Sequence, residues 1–216
     1  MTLQADVQAV YEDADLLVLQ KPAGLLCVPG RGPDKQDCLS ARAQQHWPGA
    51  LIVHRLDQAT SGLVLMARHI DAQRRLSHAF AERQVHKRYQ AVVWGLLAAQ
   101  EGAWNEINLP IAADWERRPL RVIDPAHGKP SLTRWRLLGH HPATGTSRIE
   151  LEPVTGRTHQ LRVHMAAVGH PILGDALYAP AEVQTLAPRL LLHASHLAFA
   201  PPTTGKMKSF YWQLAL

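Results

Sequence analysis

The stretch His54-Arg55-Leu56-Asp57-Gln58-Ala59-Thr60-Ser61-Gly62-Leu63-Val64-Leu65-Met66-Ala67 sets a short polar segment between two apolar ones. Ala50 to Val53 lead in with apolar side chains, and Leu63 to Ala67 lead out with apolar, partly β-branched ones. The layout predicts strand, loop, strand, and the loop gathers Arg, Asp, Thr, Ser and Gly at one point. It presents an acid beside a base. On residue types alone, Asp57 near Arg55 reads as a structural ion pair or a turn-capping residue.

Outward from that loop the pattern is mixed α and β. Strands are expected at Leu16 to Gln20, Ala91 to Trp94, Leu132 to Leu138, Arg148 to Glu152 and Leu197 to Ala200. Several alternate with period two, as Ile149 and Leu151 do between Arg148, Glu150 and Glu152. Asp71 is placed to cap a helix running to about Gln84, with Ala72, Leu76, Ala79, Phe80 and Arg83 at helical spacing. Gln160 to Val168 is a second helix, stopped by Gly169 and Pro171. Pro- and Gly-bearing loops are expected at Pro29 to Pro33, Ile111 to Pro130 and Ala179 to Pro188, where contacts to a partner can be built without disturbing a core.

The chain has 216 residues, enough to bury a sizeable core as one domain or as two lobes sharing a sheet. A net charge of +5 and a pI near 9.5 give a surface that attracts polyanions. Cys27 and Cys38 cannot make a disulfide framework, and no Cys-x-x-Cys pair exists to hold zinc, so a reducing cytoplasm is expected. The acidic start at Asp6, Glu12, Asp13 and Asp15 is unlike a signal peptide, and no apolar stretch reaches membrane-spanning length. Neither a Walker A sequence nor G-x-G-x-x-G occurs. Among the 13 histidines, His159 and His164 are five apart, off the i, i+4 pairing of helical metal ligands, and no metal site is expected. His54, His159, His164, His170 and His193 read instead as hydrogen-bonded structural residues or phosphate contacts.

The run from His54 to Gly62 resembles, almost residue for residue, the HRLDxxTSG signature of the RluA-type pseudouridine synthases. Further segments follow in the family's order. Lys21-Pro22-Ala23-Gly24-Leu25 is similar to its KPxG element and Lys87-Arg88-Tyr89 to its K-x-Y element. Thr155 to His164 is similar to its GRxHQLRxH element, and is followed by His170-Pro171-Ile172-Leu173-Gly174-Asp175 and by Leu190 to Ala194. Asp114-Trp115 with Arg118-Pro119, and Gly128-Lys129-Pro130, resemble the small RluA branch in particular. Gln20 departs from the family's usual Asn, and Leu120-Arg121 is less basic than the branch leads one to expect.

The resemblance implies an α/β fold of the α+β kind, the pseudouridine synthase fold: a mixed, largely antiparallel sheet bent around a central catalytic cleft. Residues 1–216 are expected to be a single catalytic domain without the small S4-type N-terminal RNA-binding domain of many relatives. The implied activity breaks the N-glycosidic bond of a uridine in RNA, turns the base and closes a C1′ to C5 bond, an isomerisation that needs no metal, nucleotide or redox cofactor. The implied substrates are uridine 32 of a tRNA anticodon stem-loop and uridine 746 of a 23S rRNA hairpin loop. The partners expected are RNA and no membrane, and the protein is expected to be a cytoplasmic monomer.

The resemblance assigns the catalytic roles to Asp57, Tyr89 and Arg162. An ionised Asp57 serves as nucleophile at the sugar or as the base that removes a sugar proton. A carboxylate kept ionised in a poorly hydrated pocket needs a cation, and a guanidinium at Arg162 suits it. Tyr89 stacks on uracil, and its hydroxyl can help remove the C5 proton. A stacked base must be flipped out to be reached, and Arg55 is assigned to the vacated space, with a plain phosphate contact as its alternative role. His54, Thr60, Lys87, Arg88, Arg157, His159 and Leu192 are the remaining RNA-binding expectations. The basic stretch Arg83 to Arg88, with Arg74 and Arg75 before it, is expected to meet phosphates. Two other functions fit parts of the pattern: a hydrolytic N-glycosidase, which would release free base, and an RNA-binding or folding factor without catalysis.

Overall fold

The computed structural model describes residues 7–201 and 205–213. In chain order the elements are β1 (Gln8–Glu12), β2 (Leu16–Lys21), α1 (Leu39–His46), β3 (Leu51–Ile52), β4 (Ser61–Ala67), α2 (Ile70–Ala81), β5 (His86–Trp94), β6 (Trp104–Asn108), β7 (Ile111–Ala113), β8 (Arg121–Ile123), β9 (Leu132–His141), β10 (Thr146–Pro153), α3 (Gln160–Ala167), α4 (Ala181–Gln184), β11 (Leu192–Phe199) and β12 (Lys208–Tyr211). They fall into two compact units. Residues 7–86 with the described residues from 194 onward form the first, and residues 87–193 the second. Strand-rich units with few helices match the expected α+β class.

In the first unit β2 lies antiparallel to both β1 and β4, β3 pairs the outer end of β4, and β12 pairs β11. Every residue of β4 is buried, so the run from Ser61 to Ala67 is a central strand covered on both faces. One face supplies Leu63, Leu65 and Ala67 to a core completed by Leu16 and Val18 of β2, Ala72 and Leu76 of α2, and Phe199 of β11. Gly62 is required where it stands. Its φ is +118°, and a Cβ there would meet the backbone of Ala194.

Helix α2 follows the expected apolar spacing with different ends. Its N-cap is His69, whose Nδ1 accepts the N–H of Ala72 at 3.3 Å, while Asp71 sits in the first turn and adds charge there instead of capping. The helix stops at Ala81, short of Gln84, because Arg83 adopts a left-handed φ of +57°. Arg83 is therefore outside the apolar face and exposed.

The turn from β1 to β2 is pinned by Asp13. Its Oδ1 accepts the N–H groups of Asp15 and Leu16, and its Oδ2 accepts from the Tyr11 hydroxyl and from Lys208 of β12. Burial alone would raise the carboxyl pKa, but these donors outweigh it and bring it from 3.8 to about 2. A depressed folded-state pKa means that the unfolded chain binds the proton first, so the contribution is complete above about pH 4 and fades as pH falls toward 2. Asp13→Asn is expected to melt below wild type at pH 7, with the gap closing between about pH 4 and 2 in thermal unfolding followed by circular dichroism.

In the second unit β10 is central, antiparallel to β5 on one side and to β9 on the other, and β9 also pairs β6. The stretch from Ile111 to Pro130, expected as a loop, contains the hairpin β7–β8. The stretch from Ala179 to Pro188 likewise holds the short α4, whose Val183 packs with Val92, Leu173 and Ala179. Helix α3 ends at Ala167, with Gly169 at a φ of +84° after it, as the Gly-Pro signal predicts. Among the described residues no helix is long and apolar enough to cross a membrane.

Candidate active site

Asp57 lies in the loop before β4, half-buried, between buried Leu56 and exposed Gln58. Its carbonyl accepts the N–H of Thr60 at 3.1 Å, closing a turn that carries the carboxylate at its start. Thr60 is buried, and Arg55 is exposed. The loop is tied down at three points. The N–H of Gly24 donates to the carbonyl of Gln58 at 2.8 Å, and the Gln58 amide returns a bond to the Gly24 carbonyl at 3.0 Å. The N–H of Leu56 donates to Sγ of Cys27 at 3.2 Å. His54 accepts the N–H of Leu65 through Nε2 and stacks on Phe80 at 4.4 Å, so the contacts described for it are to the protein.

The third tie is Lys21, whose side chain is 0 % exposed. Its ammonium donates to the carbonyls of Pro22, Leu25 and Gln58 at 2.9, 2.7 and 3.0 Å, matching its three donors. Burial pulls its pKa down from 10.5 to about 8, while the Cys27 and Asp57 groups act to raise it. The early Lys-Pro-x-Gly element thus explains itself physically: the lysine welds the turn at Gly24 to the loop that carries Asp57. Lys21→Met removes three hydrogen bonds at once and is expected to cost roughly 2–4 kcal/mol of stability, read by urea unfolding.

In the second unit Tyr89 stands on β5 opposite Leu151, half-buried. Burial holds the Lys87 ammonium below the ordinary lysine value. Arg88 joins an ion-pair lattice on the sheet with Glu150 and Glu152, shared with Arg134 and Arg136 around the ring of Trp104. Leu192 is buried.

Helix α3 carries Arg162 and is fixed at both ends of its motif. Gln160 donates to the Leu132 carbonyl and to Thr133, and accepts from Thr155 and from the Arg157 N–H. His164 bridges Thr133 and the Leu109 carbonyl, and burial keeps its pKa low, so it is a neutral structural residue. Arg157 is exposed and donates to the Pro130 carbonyl. His159 starts the helix in the left-handed region at φ +57°.

Arg162 itself is 4 % exposed and pairs bidentately with Asp175, 1 % exposed, at 2.8 and 2.6 Å. Asp175 also accepts the N–H groups of Leu177 and Tyr178. Residue-type reasoning left Asp175 without a role although the Gly-Asp pair was visible, because a contact thirteen residues away has no local period. Beside α3, hairpin β7–β8 borders a cavity of about 910 Å³ lined by Trp115, Arg118, Arg121, Lys129 and Arg157 among others. Trp115 is 70 % exposed and carries the Arg118 guanidinium at 4.2 Å from its ring. Cation and ring together suit phosphates and bases.

Of the expected catalytic set, Asp57 is thus held in the first unit, and Tyr89 and Arg162 in the second. Among the described residues no three His, Cys, Asp or Glu side chains are grouped to hold a metal ion.

Known proteins resemble the chain along most of its length. A family model described as RNA pseudouridylate synthase matches residues 15–167. The dual-specificity RNA pseudouridine synthase RluA of Pasteurella multocida is 47% identical over 201 residues, which are 93% of this chain and 90% of that protein. Its namesake from Escherichia coli is 44% identical over the same shares. Among solved structures, human RNA pseudouridylate synthase domain containing 1 superposes with a TM-score of 0.82 at 29% identity, covering 99% of this chain and 86% of that one. The chain belongs to the RNA pseudouridylate synthase family, and its enzymatic activity is the isomerisation of uridine to pseudouridine in RNA.

Proposed function

We propose that this enzyme has two RNA substrates, a uridine in a tRNA anticodon stem-loop and one in a hairpin loop of large-subunit rRNA, and that residues 1–216 act as a single catalytic domain. The observation that carries the reading is the match along 93% of the chain to proteins named as dual-specificity synthases. The protein works as a monomer in the cytoplasm, where both RNAs are made.

In this reading Arg55 fills the stack as the target nucleotide turns out. Asp57, ionised, then acts at the sugar, either by attack on C1′ or by removal of the C2′ proton, as the C1′ to N1 bond breaks. Tyr89 holds the freed uracil by stacking while it rotates. C5 bonds to C1′ as the Asp57–C1′ bond breaks or, in the other route, as the proton taken from C2′ returns; the C5 proton leaves and N1 ends protonated, so atoms balance without an outside reactant. Arg162, permanently charged, stabilises the carboxylate. Lys87, Arg88, Arg157 and His159 add contacts to the RNA backbone.

Pseudouridine mapping on tRNA and rRNA transcripts incubated with the protein tests the substrate range. One modified loop uridine in each RNA is the expected result. Modification of one RNA class only would reduce the proposal to a single-substrate enzyme.

A further inference from the structure

Tyr178 lies at a junction that neither the fold nor the reaction as written requires. Its hydroxyl oxygen is 3.0 Å from the N–H of Arg121, the first residue of β8, and accepts from it. The same oxygen is 2.6 Å from Nδ1 of His159. Which of the two donates in that bond is set by the His159 tautomer. The face of the Tyr178 ring stands 5.1 Å from the Arg162 guanidinium carbon, and its backbone N–H donates to Asp175, the partner of Arg162. One side chain thus touches the hairpin, the start of α3 and the arginine held within α3.

The hairpin has a reason to move that message. Its tip carries the exposed Trp115 with Arg118 stacked on it, on the border of the basic cavity. The Arg121 N–H ties β8 to the phenol, so a shift of the hairpin under a bound RNA strand would be felt at Tyr178. Asp175 grips the guanidinium by its edge and Tyr178 covers its face, so a shift of the ring changes the packing on that face.

We propose that Tyr178 is a positioning residue that links occupancy of the β7–β8 hairpin by RNA to the orientation of Arg162, so that rate responds to RNA bound beyond the target uridine. The inference rests on the assignment of Arg162 to catalysis.

The test is a double-variant cycle with a hairpin-loop transcript that the wild type modifies, comparing wild type, Tyr178→Phe, Arg162→Lys and the double variant. Single-turnover pseudouridine formation gives the rate, and filter binding gives the affinity. Tyr178→Phe keeps the ring and removes the hydroxyl, so its rate is expected to fall about three- to tenfold with affinity within about twofold. In the Arg162→Lys background the same change is expected to cost less than about twofold, because the two residues act as one unit. A wild-type rate for Tyr178→Phe, or a loss that multiplies with that of Arg162→Lys, overturns the link. A general loss of fold would also multiply, so it counts against the proposal. If Arg162→Lys alone keeps the wild-type rate, the catalytic assignment of Arg162 falls, and the link with it.

Discussion

Asp57→Asn is expected to lower the rate of pseudouridine formation by at least about 10⁴-fold while RNA affinity stays within a few-fold of wild type. Asparagine keeps the volume of the side chain and leaves the turn intact, because that turn is closed by the Asp57 carbonyl and the Thr60 N–H, both of the backbone. The loop's other ties run through Lys21, Gly24, Gln58 and Cys27, none of which bonds to the carboxylate in doing so. What the substitution removes, in the proposed reaction, is the charge that attacks or deprotonates the sugar. Filter binding alongside single-turnover assays separates this from loss of binding, and equal melting temperatures separate it from misfolding.

Asp175→Ala carries the largest expected effect on stability. Arg162 is 4 % exposed and Asp175 1 %, and their pairing is bidentate. Removing the carboxylate strips a buried guanidinium of that counter-charge and also leaves the N–H groups of Leu177 and Tyr178 without their acceptor. The expected cost is about 3–5 kcal/mol in urea unfolding. Replacing both partners with apolar residues of similar volume, as in Arg162→Met with Asp175→Leu, is expected to recover a large part of that loss, because no uncompensated charge then remains. With Arg162 in its proposed catalytic role, activity is expected to be lost in both proteins, so stability is the discriminating measurement.

The strands were legible where burial on two faces or clean alternation left few alternatives, as in β4, β9 and β10. Helix α1 was not legible. It is capped by Cys38, whose Sγ accepts the Ala41 N–H, and it buries only Leu39 and Ala43, too few to set a period. The same reason displaced the start of α2: a histidine is not a usual cap, and His69 serves because its Nδ1 accepts from Ala72 while Nε2 engages Asp15. The hairpin β7–β8 has three residues per strand, and Ile-Ala-Ala carries little alternation.

At the site, the loop with Asp57 was readable from its polar run and from family resemblance. Lys21 had no role beyond its place in the Lys-Pro-x-Gly run and is buried at the root of that loop, a placement that depends on three carbonyls the chain brings together only on folding. Asp175 and Tyr178 stayed hidden because their partners on α3 and β8 lie thirteen or more residues away.

The most direct test is to incubate a transcript labelled with tritium at uridine C5 with wild type and with Asp57→Asn, and to analyse the products for both released tritium and recovered pseudouridine. A pseudouridine synthase that works through Asp57 gives tritium release matched by pseudouridine in wild type, and neither above background in Asp57→Asn. Free uracil in place of pseudouridine, or equal yields from the two proteins, would contradict it.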